Sequence, residues 1–203
     1  MGLRERFNHA FLGLARAAGA TLAEVHQVRG FLVEVTNTRP EIATADVLAR
    51  LDDAIGMLEE YQPIRLRHMR RDVEKIIVER YGCRGAYLPA YRTILTELTF
   101  LARRDIGVEV VASSLIHEAT HARIHRGAPN HTFPDPPREE RICRRVELAF
   151  GESLPAERGA AVIERASWSL GLADAEVAPR PSAAEVQAAV DAVDRAARQE
   201  PPR

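Results

Sequence analysis

Two histidines one helical turn apart, His117 and His121, follow a run of seven uncharged residues, Val110 to Ile116, and this pairing restricts the chain more than any other feature. A segment that is neutral on every side has to be buried on every side, so the element carrying it needs packing partners all around. The apolar positions Val108, Val111, Leu115 and Ala122 recur at helical steps until Gly127 and Pro129, which together stop a helix. The spacing thus predicts a buried helix with the histidine pair inside it. Residues i and i+4 of a helix stack roughly 5–6 Å apart, so both imidazoles can be aimed at one metal ion. Glu118 lies about a quarter-turn to the side, near such an ion but not competing for it. Two neutral nitrogens that hold a divalent cation, and a carboxylate able to take a proton from water, are what metal-assisted hydrolysis requires.

The remaining chain has to supply the partners of that helix. Its 203 residues suit one domain with a sizeable core rather than two enzyme-sized ones. Residues 3–28 are alanine-rich with helical apolar spacing and read as two helices split near Gly19, followed by a loop from Asn37 to Pro40. Thr44 is the expected N-cap of an amphipathic helix through Leu48, Leu51, Ile55 and Leu58 to Tyr61, stopped by Pro63. The cationic cluster Arg65 to Arg71 reads as a solvated helical face. From Val73 to Tyr81 the period fits two readings: Ile76-Ile77-Val78 suits a strand, the favoured one, while Val73, Ile77 and Tyr81 also fall at helical steps; the alternation from Thr93 to Leu101 suits a second strand. Asp135 can cap a later helix with Pro136 at its first position and Ile142, Val146, Ala149 and Phe150 on one arc, closed by Gly151 to Pro155. The predicted organisation is a single domain over 1–178: a helical N-terminal part over 1–62, a metal-binding core over 63–156 and a closing segment over 157–178. A flexible or loosely helical tail over 179–203 follows.

Once that frame is drawn, the segment His117-Glu118-Ala119-Thr120-His121 resembles the active-site helix of the zincin superfamily of metallopeptidases, which carries the H-E-x-x-H pattern. The resemblance covers at most Ile76 to Phe150 and implies an α+β, zincin-like fold, mainly helical, with a small sheet beside the helix. It also implies one Zn2+ ion held by three protein ligands, with a fourth position left for water. The metzincin branch would take its third ligand six residues after the second histidine and a glycine midway, but Gly127 and Ile124 stand there. The gluzincin branch takes a glutamate from a following helix, and the spacing of eighteen residues after His121 leads to Glu140. Glu139 and Glu147 remain alternatives: on a helical wheel Glu140 and Glu147 share one edge of the apolar arc while Glu139 falls within it. Arg123 departs from the apolar residue that zincin patterns carry at that place. In zincins an edge strand lies above the metal and takes the substrate as an added strand, and the segment Thr93 to Leu101 is the expected equivalent.

The expected function is a zinc-dependent hydrolase, a metallopeptidase in which Glu118 is the general base and His117, His121 and Glu140 hold the metal. A non-catalytic zinc-binding protein and a helical interaction module are the rival readings. His125 is expected as a neighbour of the site, His131 as a group that could polarise a carbonyl or serve as an alternative ligand, and Tyr87, Tyr91 and His131 as candidates to stabilise an oxyanion. Cys143, one turn from Glu140, reads as a buried structural thiol. The expected partner is a peptide or protein substrate. A net charge of −1 gives no footprint for nucleic acid or an anionic membrane. No apolar run approaches the ~18 residues of a membrane span, charges interrupt any signal-peptide core, and only two cysteines occur, so cytoplasmic retention is the expectation.

Overall fold

The chain enters its sheet through a hairpin, with strand β1 (Glu24–Val28) antiparallel to strand β2 (Phe31–Val35). Arg29 and Gly30 both take positive φ, 45° and 84°, the combination that a tight two-residue hairpin turn demands. The structure is a computed structural model describing residues 23–127 and 135–178, with a few positions between 184 and 191. The strand over Glu24–Val28 corrects the end of the expected N-terminal helical stretch, and the rest of that stretch lies outside the described residues. The strand was hidden because most of β1 is exposed, whereas its partner β2 buries Phe31, Val33 and Val35 in strict alternation.

Helix α1 (Thr44–Tyr61) and helix α2 (Pro63–Asp72) form the crossover from β2 to the parallel strand β3 (Lys75–Glu79). The α1 cap is Ala43, one residue earlier than expected, and the Thr44 hydroxyl instead accepts a hydrogen bond from Asn37 Nδ2 at 3.3 Å. Within the cationic α2 segment, Leu66 and Met69 are buried while Arg70 reaches Glu59 at 3.0 Å, as a solvated face would. Strand β4 (Gly85–Leu88), a 3-10 turn over Pro89–Tyr91 and strand β5 (Thr93–Glu97) complete a five-stranded sheet of order β1-β2-β3-β5-β4 among the described residues. Strand β5 runs parallel to β3 and antiparallel to β4, so β4 and not the expected Thr93–Leu101 segment is the edge on that side. The expected strand also ends early. The Glu97 carboxylate accepts from the Phe100 backbone N–H and the Thr99 hydroxyl, each at 2.6 Å, and caps the short helix α3 (Leu98–Ala102).

Helix α4 (Val108–Gly127) is the predicted buried helix, with Val111, Ala112, Leu115, Ile116 and Ala122 almost inaccessible. It packs against α1, α2, β4 and helix α5 (Pro136–Ser153), whose first turn Asp135 caps by accepting from the Arg138 N–H at 3.1 Å. Helix α6 (Ala156–Leu170) lies against α5, and the short helix α7 (Asp174–Val177) follows. The main core joins one face of the sheet, with Val33, Val35, Ile76, Val78 and Ile94, to these helices; Leu88 and Leu95 form a small second cluster with Tyr81 and Tyr91. The architecture is mixed α+β, mainly helical with a small sheet. Apart from isolated positions, the expected tail over 179–203 lies outside the described residues. No helix among the described residues is long and apolar enough to cross a membrane.

Candidate metal centre

Two helices build the site, α4 with its histidines and α5 with its glutamates. Ser113, His117 and His121 fall at i, i+4 and i+8, which places them on one stripe of α4 facing α5. Both imidazoles are buried, and their Nε2 atoms stand 3.1 Å apart. Glu140 brings one carboxylate oxygen to 3.3 Å from His117 Nε2 and the other to 3.5 Å from His121 Nε2. The other ring nitrogens face different carboxylates: His117 Nδ1 meets Glu147, and His121 Nδ1 meets Glu139 at 2.5 Å. Thus all three glutamates weighed from sequence surround the pair, in two distinct roles.

When the rings are neutral and each Nδ1 donates its N–H to the carboxylate it faces, each Nε2 keeps its lone pair. Two lone pairs 3.1 Å apart repel unless a proton or a cation lies between them. Donors at about 2.05 Å from a tetrahedral ion lie about 3.3 Å from one another, close to the spacings seen here among His117, His121 and Glu140. The three side chains therefore have the spacing to hold a metal ion, and the Nδ1 contacts are of the kind that would orient imidazoles toward one. Glu147 is itself held by the Ser113 hydroxyl at 3.1 Å and by Arg144 Nη1 at 2.5 Å.

The electrostatics of the bare side chains tell the same story. Burial disfavours charge on His117, yet Glu140 and Glu147 raise its pKa above 6.5. Burial opposes a charge on His121 as well, but Cys143, Glu139 and Glu140 raise it well above 6.5. Burial would raise Glu139, but hydrogen bonds from His121 and His125 hold it at about 2. Burial likewise works against ionised Glu140 and Glu147, and the histidines win in both, lowering their pKa values. This pocket is built to keep anionic carboxylates around a positive charge. Burial lowers the pKa of nearby Arg165, and the cations Arg84 and Arg144 lower it further.

Glu118 points elsewhere, as its quarter-turn offset requires. It packs beside Gly85 on the edge strand, where an added Cβ would stand 3.3 Å from both Glu118 Cγ and Oε1 and 3.2 Å from Ser114 Oγ. The side chain is 8% exposed and makes no hydrogen bond among the described residues. Tyr87, on the same face of β4, stacks obliquely near His125 with ring centroids 5.9 Å apart, and burial raises its hydroxyl pKa. Tyr91 packs in the second cluster, away from the α4 side of the sheet, and His131 lies outside the described residues. His125 reaches Glu139 at 3.1 Å, beside the pair. Arg123 is half-exposed and 3.7 Å from buried Asp72, which also binds Arg126 at 3.0 Å, so the basic end of α4 is pinned to α2.

Cys143, read from the sequence as a buried structural thiol one turn from Glu140, stands beside this group. Cys143 is fully buried, and its sulfur lies with ligand nitrogens of His117 and His121 in a set whose atoms are all within 4.8 Å of one another. Comparison of the chain with protein-family models, with curated proteins and with solved structures finds no match to any of them.

Proposed function

We propose that this protein is a zinc-dependent hydrolase of the metallopeptidase kind, zincin-like in its site, with His117, His121 and Glu140 as metal ligands and Glu118 as general base. The observation that carries the reading is the division of labour among the acids. One carboxylate spans both Nε2 atoms, two others hold the two Nδ1 atoms, and a fourth, Glu118, stands close enough to act electrostatically on His117 but makes no hydrogen bond among the described residues. Zinc, when bound, would supply a Lewis acid that polarises a carbonyl and acidifies water. Glu139 and Glu147 keep the imidazole tautomers fixed so that both Nε2 atoms are available. Glu118 accepts a proton from the attacking water and passes it to the leaving nitrogen. The antiparallel edge strand β4 lies against α4 beside Glu118, so an extended peptide adding to that edge would bring its backbone to the carboxylate. A peptide or protein substrate fits this arrangement best. Neither Cys83 nor Cys143 forms a disulfide among the described residues, which suits a reducing compartment such as the cytoplasm.

The test is Glu118→Gln. A catalyst keeps its zinc and loses peptide cleavage, whereas a non-catalytic metal protein shows no cleavage in the parent chain either. Absence of peptide hydrolysis by fully zinc-loaded wild-type protein would remove the enzymatic reading.

A further inference from the structure

We propose that Cys143 is a fourth protein donor of the metal centre, its sulfur closing in the resting state the position that hydrolysis needs for water. The inference rests on the metal ligation argued above and adds regulation to it. Helix α5 presents Glu140 and Cys143 one turn apart, so whatever orientation brings Glu140 to the histidine pair brings Cys143 there too. The cysteine is 0% exposed, forms no disulfide, and its sulfur is within 4.8 Å of the ligand nitrogens of both His117 and His121.

A sulfur at about 2.3 Å and an imidazole nitrogen at about 2.05 Å from one tetrahedral ion lie about 3.6 Å apart. The shortfall is at most about 1.2 Å, within reach of side-chain rotations shared between the cysteine and the facing histidines. A thiol in an ordinary core is surrounded by apolar atoms, whereas this one borders His121 and is flanked by Glu140. Thiolate sulfur ranks with imidazole nitrogen among the donors zinc favours. When the bond forms, the S–H bond breaks, the proton leaves to solvent, and sulfur replaces water at the ion. No oxidant or reductant is involved. The set His117, His121, Glu140 and Cys143 is then a closed four-coordinate shell of the kind that holds metal without turning over, and release of the sulfur opens it.

The experiment loads full-length wild-type protein, Cys143→Ala and Cys143→Ser with cobalt(II) and records absorption spectra together with metal stoichiometry. The expected result is a sulfur-to-cobalt charge-transfer band in the near ultraviolet for wild type, lost in both variants, each still binding one cobalt. Zinc-loaded Cys143→Ala should then cleave peptides faster than wild type. A wild type without the band, or a band that persists in Cys143→Ser, overturns the inference. Circular dichroism identifies a misfolded alanine variant, and the near-isosteric serine variant then decides. Loss of the band with no cleavage by any variant leaves sulfur ligation standing and removes the hydrolase reading. Cleavage by a wild type that lacks the band does the reverse, and failure of wild type to bind cobalt overturns both.

Discussion

If Glu147 and Glu139 orient imidazoles while Glu140 binds the ion, their amide variants must weaken metal binding by different amounts. Glu147→Gln keeps the shape of the side chain but replaces the carboxylate that accepts the Nδ1 proton of His117. The ring loses its fixed tautomer and some of its basicity, an effect that elsewhere costs about 10–100-fold in affinity, or roughly 1.4–2.7 kcal/mol. Glu139→Gln should behave alike, since its oxygen lies 2.5 Å from His121 Nδ1. Glu140→Ala removes the only carboxylate among the described residues within 3.5 Å of both Nε2 atoms, so its loss should exceed that of either amide variant. Competition against a chromophoric chelator at fixed pH measures all three on one scale, with thermal unfolding of the metal-free proteins as the control. An order in which Glu139→Gln or Glu147→Gln loses more affinity than Glu140→Ala would refute the assignment of ligand and orienting groups.

Other consequences concern pH, the edge strand and the anchor of α4. Metal has to displace protons from two histidines whose pKa values are raised above 6.5, so affinity should fall with more than single-proton steepness as pH drops below neutral. Chelator competition across that range checks it. In the metal-free chain the raised histidines contribute stability below 6.5 that is lost as pH rises through their folded values. Glu139, held at about 2 rather than 4.5, contributes stability above 4.5 that is lost as pH falls toward 2, so urea unfolding should show a maximum between 4.5 and 6.5. Gly85→Val places methyl groups where Glu118 Cγ and Oε1 already stand 3.3 Å from a bare Cβ, and should lower kcat with metal content unchanged; an unaltered kcat would contradict the placement of Glu118. Asp72→Asn weakens the tie from buried Asp72 to Arg71 and Arg126, and should cost about 1.5–3 kcal/mol in chemical unfolding.

The parts of this structure that follow a single periodicity were readable from sequence. Helix α4 with its histidine pair and the Asp135-Pro136 start of α5 declare themselves locally, whereas strand β3 was legible only as the favoured of two periods. The hairpin did not, because β1 is largely exposed and its turn uses Arg29 with Gly30, where a non-glycine residue is forced to positive φ by pairing across the sheet. Strand β4 is only four residues long, too short for alternation to register, yet it supplies the edge beside Glu118. Among the glutamates, one position on a helix is about 100° of rotation, so deciding between Glu139 and Glu140 needed the angle at which α5 crosses α4. Cys143 was read as core for the same reason: burial was legible, its neighbours were not.

Metal content of purified, tag-free protein after zinc supplementation and removal of excess, wild type against His121→Ala, bears most directly on the whole account. It predicts one ion per wild-type chain and a content near zero for the variant, with the variant still folded by circular dichroism. A wild-type chain that emerges without metal, or a variant that retains a full equivalent, would contradict it.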